Sequence, residues 1–192
     1  MSQMRGQQQI ITPVLLTGIL IAIIGSVYLW GAPLIEKNRD MALLRDAEDF
    51  VLSMNERIKM VANTQGRDAI RVQLPILVKF NEGNNELTFE LTTKGSIYSV
   101  GRIYFVRNES EIATWGRDDP ALVYVDVGEL DGAYFHRYTL RYRQLNAPTK
   151  AYMIKLVGKS AQVGRGHWIY VEYKGVEEGG NLVKTLIEVR LE

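Results

Sequence analysis

The hydrophobic and polar positions of this chain fall into three successive patterns. Residues 10–33 include no charged side chain and are rich in Ile, Leu and Val. From Met41 to Val61, apolar residues recur every three or four positions between charged ones, which is the spacing of one helix face. After residue 70, apolar and polar residues alternate over short runs, as they do in strands. The order of these patterns predicts an α+β chain, with a long N-terminal helix followed by a β-rich region.

The uncharged run is long enough to cross a lipid bilayer. About 20 apolar residues in a helix span the hydrocarbon core of a membrane, and residues 10–33 exceed this length. The amphipathic pattern continues the helix over residues 34–63, and Asn-Thr-Gln-Gly at 63–66 is typical of a helix C-terminus. We therefore expect one helix over residues 7–65, whose first half spans a membrane and whose second half carries an apolar stripe.

Turn-forming residues divide the rest of the chain into about eight short strands. Gly, Pro, Asn and Asp cluster between the apolar runs, and no helical pattern lies among them. This arrangement is typical of a β-sandwich or a small barrel. We expect an antiparallel β-sandwich of the Ig-like class over residues 66–192, with Pro75 placing the first strand at a sheet edge. The predicted strands are 71–79, 87–92, 97–106, 122–127, 133–143, 152–157, 167–173 and 183–191.

One predicted strand, 133–143, separates aromatic from basic side chains. Tyr134, Tyr138 and Tyr142 share one face with His136, and three arginines lie on the other face. We expect the tyrosine face to pack on the core and the arginine face to contact solvent or a neighbouring subunit. A ligand-binding aromatic strip is the alternative interpretation of the tyrosines.

Composition argues against several classes of function. The 23 basic and 22 acidic residues nearly cancel and are spread along the chain, so we expect no nucleic-acid partner. The absence of cysteine excludes disulfides, Cys-ligated metals and thiol catalysis. Both histidines, His136 and His167, lie in predicted strands, and no cluster of side chains has metal-ligand spacing. We predict no enzymatic activity, no cofactor and no metal site.

Two short motifs resemble known modification or binding sequences. Asn108-Glu109-Ser110 is an acceptor sequence for N-glycosylation, placed where a surface turn is expected. Gly158-Lys159-Ser160 matches the end of a phosphate-binding loop, but the glycine that such a loop needs five residues earlier is Met153. Asn108 is therefore a candidate glycosylation site, and we interpret residues 158–160 as a turn between strands.

The N-terminal third of the chain resembles archaeal type IV pilin-like proteins. The resemblance rests on Arg5-Gly6 followed by Gln7-Gln8-Gln9, on the hydrophobic stretch over 10–30 and on the amphipathic continuation to residue 63. In that family a short basic leader, the class III signal peptide, is removed after Gly by a membrane peptidase. The resemblance implies that residues 1–6 are such a leader, with cleavage between Gly6 and Gln7. It also implies mature helices that bundle into a filament core, with β-sandwich heads outside.

These features lead us to expect a structural subunit of an archaeal type IV pilus-like filament on the cell surface, with heads exposed for adhesion or surface attachment. The expected partners are identical copies, the membrane before assembly, the prepilin peptidase and the pilus assembly machinery. Small residues four positions apart let helices approach closely, and the amphipathic stripe would extend that packing toward the heads. The predicted helix-packing residues are Gly18, Ala22, Ser26, Met41, Leu44, Val51, Met54 and Ile58.

Two other functions are open on the sequence alone. The same anchor and head fit an accessory or stator-like protein of an archaeal pilus or archaellum machine, whose extracytoplasmic β-sandwich binds another component. In such a lone anchor the small residues would be incidental. A membrane-anchored carbohydrate-binding or enzymatic domain would instead need a polar cleft on the sandwich. Basic residues follow the apolar run at 37, 39 and 45, and a charge count alone would keep the head inside the cell.

Overall fold

The structure is a computed structural model that describes residues 4–106 and 109–192, with side chains from residue 13 onward. One helix, α1 (Met4–Thr64), precedes all the strands of the described chain, so the α+β class is as predicted. The chain divides into two units, Met1–Asp40 and Met41–Glu192, and we call the second the compact unit. The strands are β1 (Arg67–Arg71), β2 (Leu77–Asn81), β3 (Glu86–Thr93), β4 (Gly101–Tyr104), β5 (Ile112–Thr114), β6 (Ala121–Leu130), β7 (Ala133–Tyr142), β8 (Gln144–Asn146), β9 (Ala151–Val157), β10 (Ala161–Val163), β11 (Trp168–Gly179) and β12 (Leu182–Leu191).

Helix α1 ends where the sequence predicts. Its last residue is Thr64, and Gln65 adopts a φ of 55°. A left-handed residue after the last turn is a common way to end a helix, and glycine is the usual choice. Here Gln65 takes that conformation one position before Gly66. The Thr64 hydroxyl donates a hydrogen bond to the carbonyl of Met60 at 2.8 Å, which reinforces the last turn.

The strands form two six-stranded sheets. Sheet A has the order β1-β11-β12-β9-β8-β5, in which the pairs β12–β9 and β5–β8 are parallel and the other three are antiparallel. Sheet B has the order β10-β2-β3-β7-β6-β4 and is antiparallel throughout. The β region is therefore rich in antiparallel pairs, but it includes parallel pairs that the predicted sandwich lacks.

The first predicted strand, 71–79, is not continuous: its first residue ends β1, and its last three residues lie in β2. Pro75 lies between β1 and β2 and belongs to neither. Val72 still pairs with sheet A, since its N–H donates to the His167 carbonyl at 2.8 Å and its carbonyl accepts from the Gly166 N–H at 2.7 Å. Proline thus interrupts the run instead of occupying an edge strand, because it fixes its own φ and offers no N–H to a neighbour. The edge position in sheet A belongs to β1, which precedes it.

Other strand predictions hold with changed limits. Runs at β3, β6, β7, β9, β11 and β12 are confirmed, whereas 97–106 is a strand only at β4. The sequence patterns missed β5, β8 and β10, which have three residues each and are too short to show an alternation. Strand β11 extends past its predicted end at 173 because a bulge, with Gly175 at a φ of 113°, shifts the register and lets the pairing resume. Residues 158–160 lie between β9 and β10, as the interpretation of a turn requires.

The core of the compact unit combines the second half of α1 with both sheets. Helix residues at three- and four-residue spacing are at most 1% exposed and belong to one apolar cluster with Phe89 of sheet B and Ile187 of sheet A. Phe50 meets Phe89 edge to face, with the ring centroids 5.8 Å apart. The predicted stripe is thus the buried face of the helix. Its core residues are Leu44, Ala47, Val51, Met54, Ile58 and Val61.

Strand β7 confirms the tyrosine prediction and corrects the arginine one. Tyr138 and Tyr142 are buried in the core and Tyr134 is partly buried against it, so the three tyrosines do not form an exposed aromatic strip. On the other side, Arg137 and Arg141 are partly exposed, but Arg143 is buried. Its guanidinium donates to the carbonyl of Asp119 at 3.0 and 3.1 Å. Arg143 therefore ties the end of β7 to the segment before β6 and does not contact solvent or a neighbouring subunit.

Candidate functional site

The first half of α1 exposes apolar side chains on every side. Every side chain from Pro13 to Trp30 is exposed, Trp30 by 77%. In the described chain this is the one helix that is long and apolar enough, by length and composition, to cross a membrane. A continuous apolar surface of this size is unfavourable in water, so lipid or other protein has to cover it. We call residues 13–33 the apolar segment and take it as the first candidate functional site.

The predicted small-residue stripe lies within the apolar segment. A Cβ atom added at Gly18 would meet no other atom within 4 Å, so the chain itself does not use this glycine for close packing. The hydroxyl of Ser26 donates to the carbonyl of Ala22 at 2.8 Å, and that of Thr17 donates to the carbonyl of Pro13 at 2.8 Å. Because both hydroxyls are satisfied inside the helix, the stripe presents a shallow surface without an unpaired polar group.

The amphipathic residues predicted to pack between subunits lie elsewhere. Leu44, Val51, Met54 and Ile58 are fully buried in the core of their own chain, and Met41 is partly buried at the start of the compact unit. Their stripe is covered by the two sheets, so these four side chains present no surface to a neighbouring helix. Spacing alone identified the face correctly but assigned it the wrong partner.

Two predicted modification sites cannot be described at the level of side chains. Helix α1 begins at Met4, so the predicted cleavage point between Gly6 and Gln7 lies in helical backbone. The side chains of Arg5 and Gln7 lie outside the described ones, and Asn108 lies outside the described residues. Leader cleavage and glycosylation stay predictions.

Polar contacts fasten the compact unit's part of α1 to the sheets. The hydroxyl of Tyr138 donates to the carbonyl of Leu44 at 3.1 Å, and that of Tyr142 donates to the Asn55 side-chain oxygen at 3.0 Å. Tyr98, between β3 and β4, donates to Glu48 at 2.7 Å. Each bond fixes one point along the helix, so together they define its rotation and axial position against sheet B in a way that apolar contacts alone do not. We call Tyr98, Tyr138 and Tyr142 the tyrosine cluster.

The tyrosine cluster stays protonated over a wide pH range. Burial, opposed by the hydrogen bond with Tyr98 and reinforced by the charge of Glu48, raises the pKa of Tyr138 to about 12. Burial and hydrogen bonds with Tyr138 and Glu48 raise the pKa of Tyr98, and burial raises that of Tyr142 well above its ordinary value. The hydroxyls therefore remain available as donors to the helix at neutral pH.

A cavity of about 350 Å³ opens near the C-terminal end of α1 within the compact unit. Its most conspicuous walls are Trp115 and Tyr152, whose ring centroids lie 4.3 Å apart with an interplanar angle of 36°. Apolar side chains of Leu145 and Ile154 complete the walls, and polar side chains interrupt them. We call this site the aromatic cavity. Its polar lining residues are Lys59, Asn63 and Thr185.

Lys59 is the charged group of the aromatic cavity. Its ammonium lies 2.8 Å from a carboxylate oxygen of Glu56 and 2.9 Å from one of Asp119. Burial favours the neutral amine, but the hydrogen bonds and charges of these two carboxylates outweigh it and raise the pKa of Lys59. The wall therefore carries a positive charge that is held in place by two acids.

The histidines occupy structural positions. His136 is buried, and its Nε2 lies 3.0 Å from the hydroxyl of Ser96. That hydroxyl donates to the carbonyl of Tyr98 at 2.9 Å and accepts from the Tyr98 N–H at 3.0 Å, so it shapes the loop before β4. His167 lies just before β11 instead of inside it. Among the described residues, no group of three or more His, Cys, Asp or Glu is arranged to hold a metal ion.

Sequence reasoning missed the tyrosine cluster's partners and the aromatic cavity. One signal was present: Asn55 follows Val51 by four positions and so falls on the apolar face of the helix, where a buried amide needs a partner. Trp115 lies between β5 and β6, where no periodic pattern marks it, and Tyr98 lies in the part of the predicted strand 97–106 that precedes β4.

In comparisons with known proteins, no family model, curated protein or solved structure matches the chain.

Proposed function

We propose that this chain is a structural subunit of an archaeal type IV pilus-like surface filament, held together by its apolar segments, with the β-rich units outside. One observation carries the proposal: a single helix has an apolar segment whose side chains are all exposed from Pro13 to Trp30, followed by a stripe buried in the chain's own core. A filament of identical subunits covers the first part without competing for the second. Before assembly the segment would cross the membrane once, with the compact unit on the extracytoplasmic side.

The contact between subunits follows from the chemistry of the apolar segment. Residues 13–30 offer no charge, and the hydroxyls of Thr17 and Ser26 are bonded within the helix, so this surface leaves lipid most easily for an equally apolar environment. Identical segments packed side by side provide one. The stripe of Gly18, Ala22 and Ser26 lets two helix backbones approach closely, and dispersion contacts then replace contacts with lipid.

The buried stripe has a different task in this proposal. Apolar burial and the tyrosine cluster fix the second half of α1 to the sheets. A pull on a compact unit would therefore be carried by these contacts into the second half of α1. We also propose that the two sheets form an Ig-like sandwich, in which the parallel pairs β12–β9 and β5–β8 depart from the usual antiparallel plan.

A matched pair of glycine substitutions tests the packing role. Gly18 and Gly31 both have open space around an added Cβ, so Leu at either position leaves the subunit's own fold intact. At 100° per residue the two positions lie about 140° apart around the helix. Gly18→Leu, alone or with Ala22→Leu, is expected to abolish filaments seen by negative-stain electron microscopy, whereas Gly31→Leu keeps them. Normal filaments from the Gly18→Leu variant would refute the packing role.

Two further measurements separate this proposal from an accessory or stator-like anchor. Immunogold labelling of filaments should place the protein along the whole shaft; labelling confined to the base would favour the anchor. Mass spectrometry of the protein from filaments should find Gln7 as the first residue, and an N-terminus at Met1 would refute the cleavage.

A further inference from the structure

The aromatic cavity combines features that an ordinary surface depression lacks. Trp115 leaves 53% of its surface exposed although Tyr152 packs closely against it. A large aromatic side chain held half in water forgoes part of the free energy that full burial would supply. The exposed part of the ring is next to an open space of about 350 Å³, at the small end of the range of ligand pockets, about 300–1,000 Å³.

The loop that carries Trp115 is held in one conformation. The backbone N–H of Trp115 donates to the Asn146 carbonyl at 2.9 Å. Thr114 and Asp118 close the loop reciprocally, since the Thr114 N–H donates to the Asp118 carboxylate at 2.8 Å and the Asp118 N–H donates to the Thr114 carbonyl at 3.0 Å. Gly116 supplies a φ of +77°, which a side chain would strain. A ring held in this way loses little conformational entropy when a ligand binds.

The polar groups on the walls differ in kind. Asn63 offers an amide, Thr185 a hydroxyl and Lys59 an ammonium. Donors and acceptors are therefore both present beside a flat apolar surface. A purely hydrocarbon ligand would offer no hydrogen bond to the amide or the hydroxyl, and a small ion would not use the aromatic walls.

We propose that the aromatic cavity binds one pyranose ring of a saccharide. The C–H face of a pyranose is flat and apolar and stacks on an indole ring, while the hydroxyls around its edge exchange hydrogen bonds with an amide, a hydroxyl and an ammonium. The saccharide gives a chemical target to the adhesion that the proposed function assigns to the exposed units. The inference rests on the proposed function only for that biological role, because saccharide binding itself needs the compact unit alone.

The test uses the full chain in a zwitterionic detergent, since glycoside detergents would compete for the site. The probes are the methyl pyranosides of glucose, galactose, mannose and N-acetylglucosamine, titrated by ligand-observed NMR, whose signal does not depend on Trp115. At least one probe is expected to bind saturably. Trp115→Ala should weaken that binding at least about tenfold. Thr185→Val, which keeps the aromatic walls, should weaken it about fivefold.

Trp168 provides the matched control. It is 42% exposed and lies against Tyr170 at a centroid distance of 6.3 Å, but on β11 and outside the aromatic cavity. Trp168→Ala should leave binding unchanged, and an equal loss in this variant would overturn the proposal. So would the failure of all four probes with the unaltered chain, or saturable binding of 3-methylindole in their place, which would assign the cavity to an aromatic group of a protein partner.

Filament formation provides an independent readout. Trp115→Ala should still assemble, and Gly18→Leu should still bind the probe as an unassembled subunit. Loss of binding with intact filaments would therefore bear on the cavity alone, and loss of filaments with intact binding would bear on the proposed function alone.

Discussion

The two halves of α1 bury apolar residues by different means. From Leu44 to Val61 the apolar residues form a stripe on one face, and the sheets of the same chain cover it almost completely. From Pro13 to Trp30 apolar residues occur around the whole circumference, and the chain covers none of them. A one-sided stripe calls for a one-sided partner, whereas an all-round apolar surface calls for surroundings that are apolar on every side. The breadth of the apolar surface therefore indicates whether the partner is intramolecular.

The largest expected effect on stability comes from a charge placed in the buried half of α1, compared with the same charge in the exposed half. Val51→Asp puts a carboxylate into a fully buried site of the apolar core, and we expect the free energy of unfolding of the compact unit to fall by about 4 kcal/mol or more. Val27→Asp changes the same residue type where it is 64% exposed and should leave that free energy unchanged. Denaturant unfolding of both variants in detergent, followed by near-UV circular dichroism, measures the difference. Equal losses of unfolding free energy in both variants would contradict the difference in burial between the two halves of α1.

A second comparison, with a smaller expected loss of stability, removes side-chain volume instead of adding a charge. Leu44→Ala should cost about 3 kcal/mol, because it takes contacts from a close-packed core and leaves a cavity. Leu29→Ala, at a position 76% exposed, should change the stability of the compact unit by less than about 0.5 kcal/mol. The same unfolding measurement applies. A loss below about 1 kcal/mol for Leu44→Ala would indicate that the stripe is less closely packed than described.

The hydroxyl of Tyr142 should contribute less to the free energy of unfolding than the packing of the helix stripe does. Tyr142→Phe leaves the buried amide oxygen of Asn55 without its donor, which should cost about 1–3 kcal/mol. Tyr28→Phe, in the exposed half, should have no effect on the compact unit. If Tyr142→Phe is combined with Asn55→Leu, part of the loss should be recovered, because both polar partners are then removed. A double variant that loses the full sum would contradict the pairing.

The smallest effect at neutral pH should come from ionisation of the tyrosine cluster. Its folded-state pKa is raised, to about 12 for Tyr138, above the ordinary value of about 10. The stabilisation that depends on a protonated Tyr138 is fully present below about pH 10. It is lost as the pH rises through the folded-state pKa of Tyr138. Tyr138→Phe should therefore flatten the dependence of stability on pH between about 10 and 12. An unchanged slope in that range would show that Tyr138 does not couple ionisation to unfolding.

The parts of the fold that were predictable are those with local periodicity. The apolar run, the helix stripe and the longer strands each repeat over enough residues to show their period. The covering of the stripe was not predictable, since spacing reveals a face but not what lies against it. The parallel pair β12–β9 joins segments that β10 and β11 separate in sequence, so no local pattern reports it.

The candidate sites also divide into those that local spacing predicts and those that it does not. The small residues at 18, 22 and 26 could be recognised from their spacing alone. Trp115 could not, because its importance depends on Tyr152, which lies 37 positions later, and on a turn closed by hydrogen bonds to Asp118 and Asn146. Contacts between distant irregular segments leave no periodic trace in a single sequence.

The position of β12 has a consequence for the order in which the molecule folds. It is the last strand in sequence, yet it lies in the interior of sheet A between β11 and β9 and supplies Ile187 to the core around α1. During synthesis the helix emerges first, with its stripe uncovered, and cannot be fully enclosed until residues about 130 positions further on have been made. Contacts of such high sequence separation fold slowly and leave apolar surface open to aggregation in the meantime. Early delivery of the apolar segment to a membrane would hold the growing chain in place and keep its unfinished copies apart.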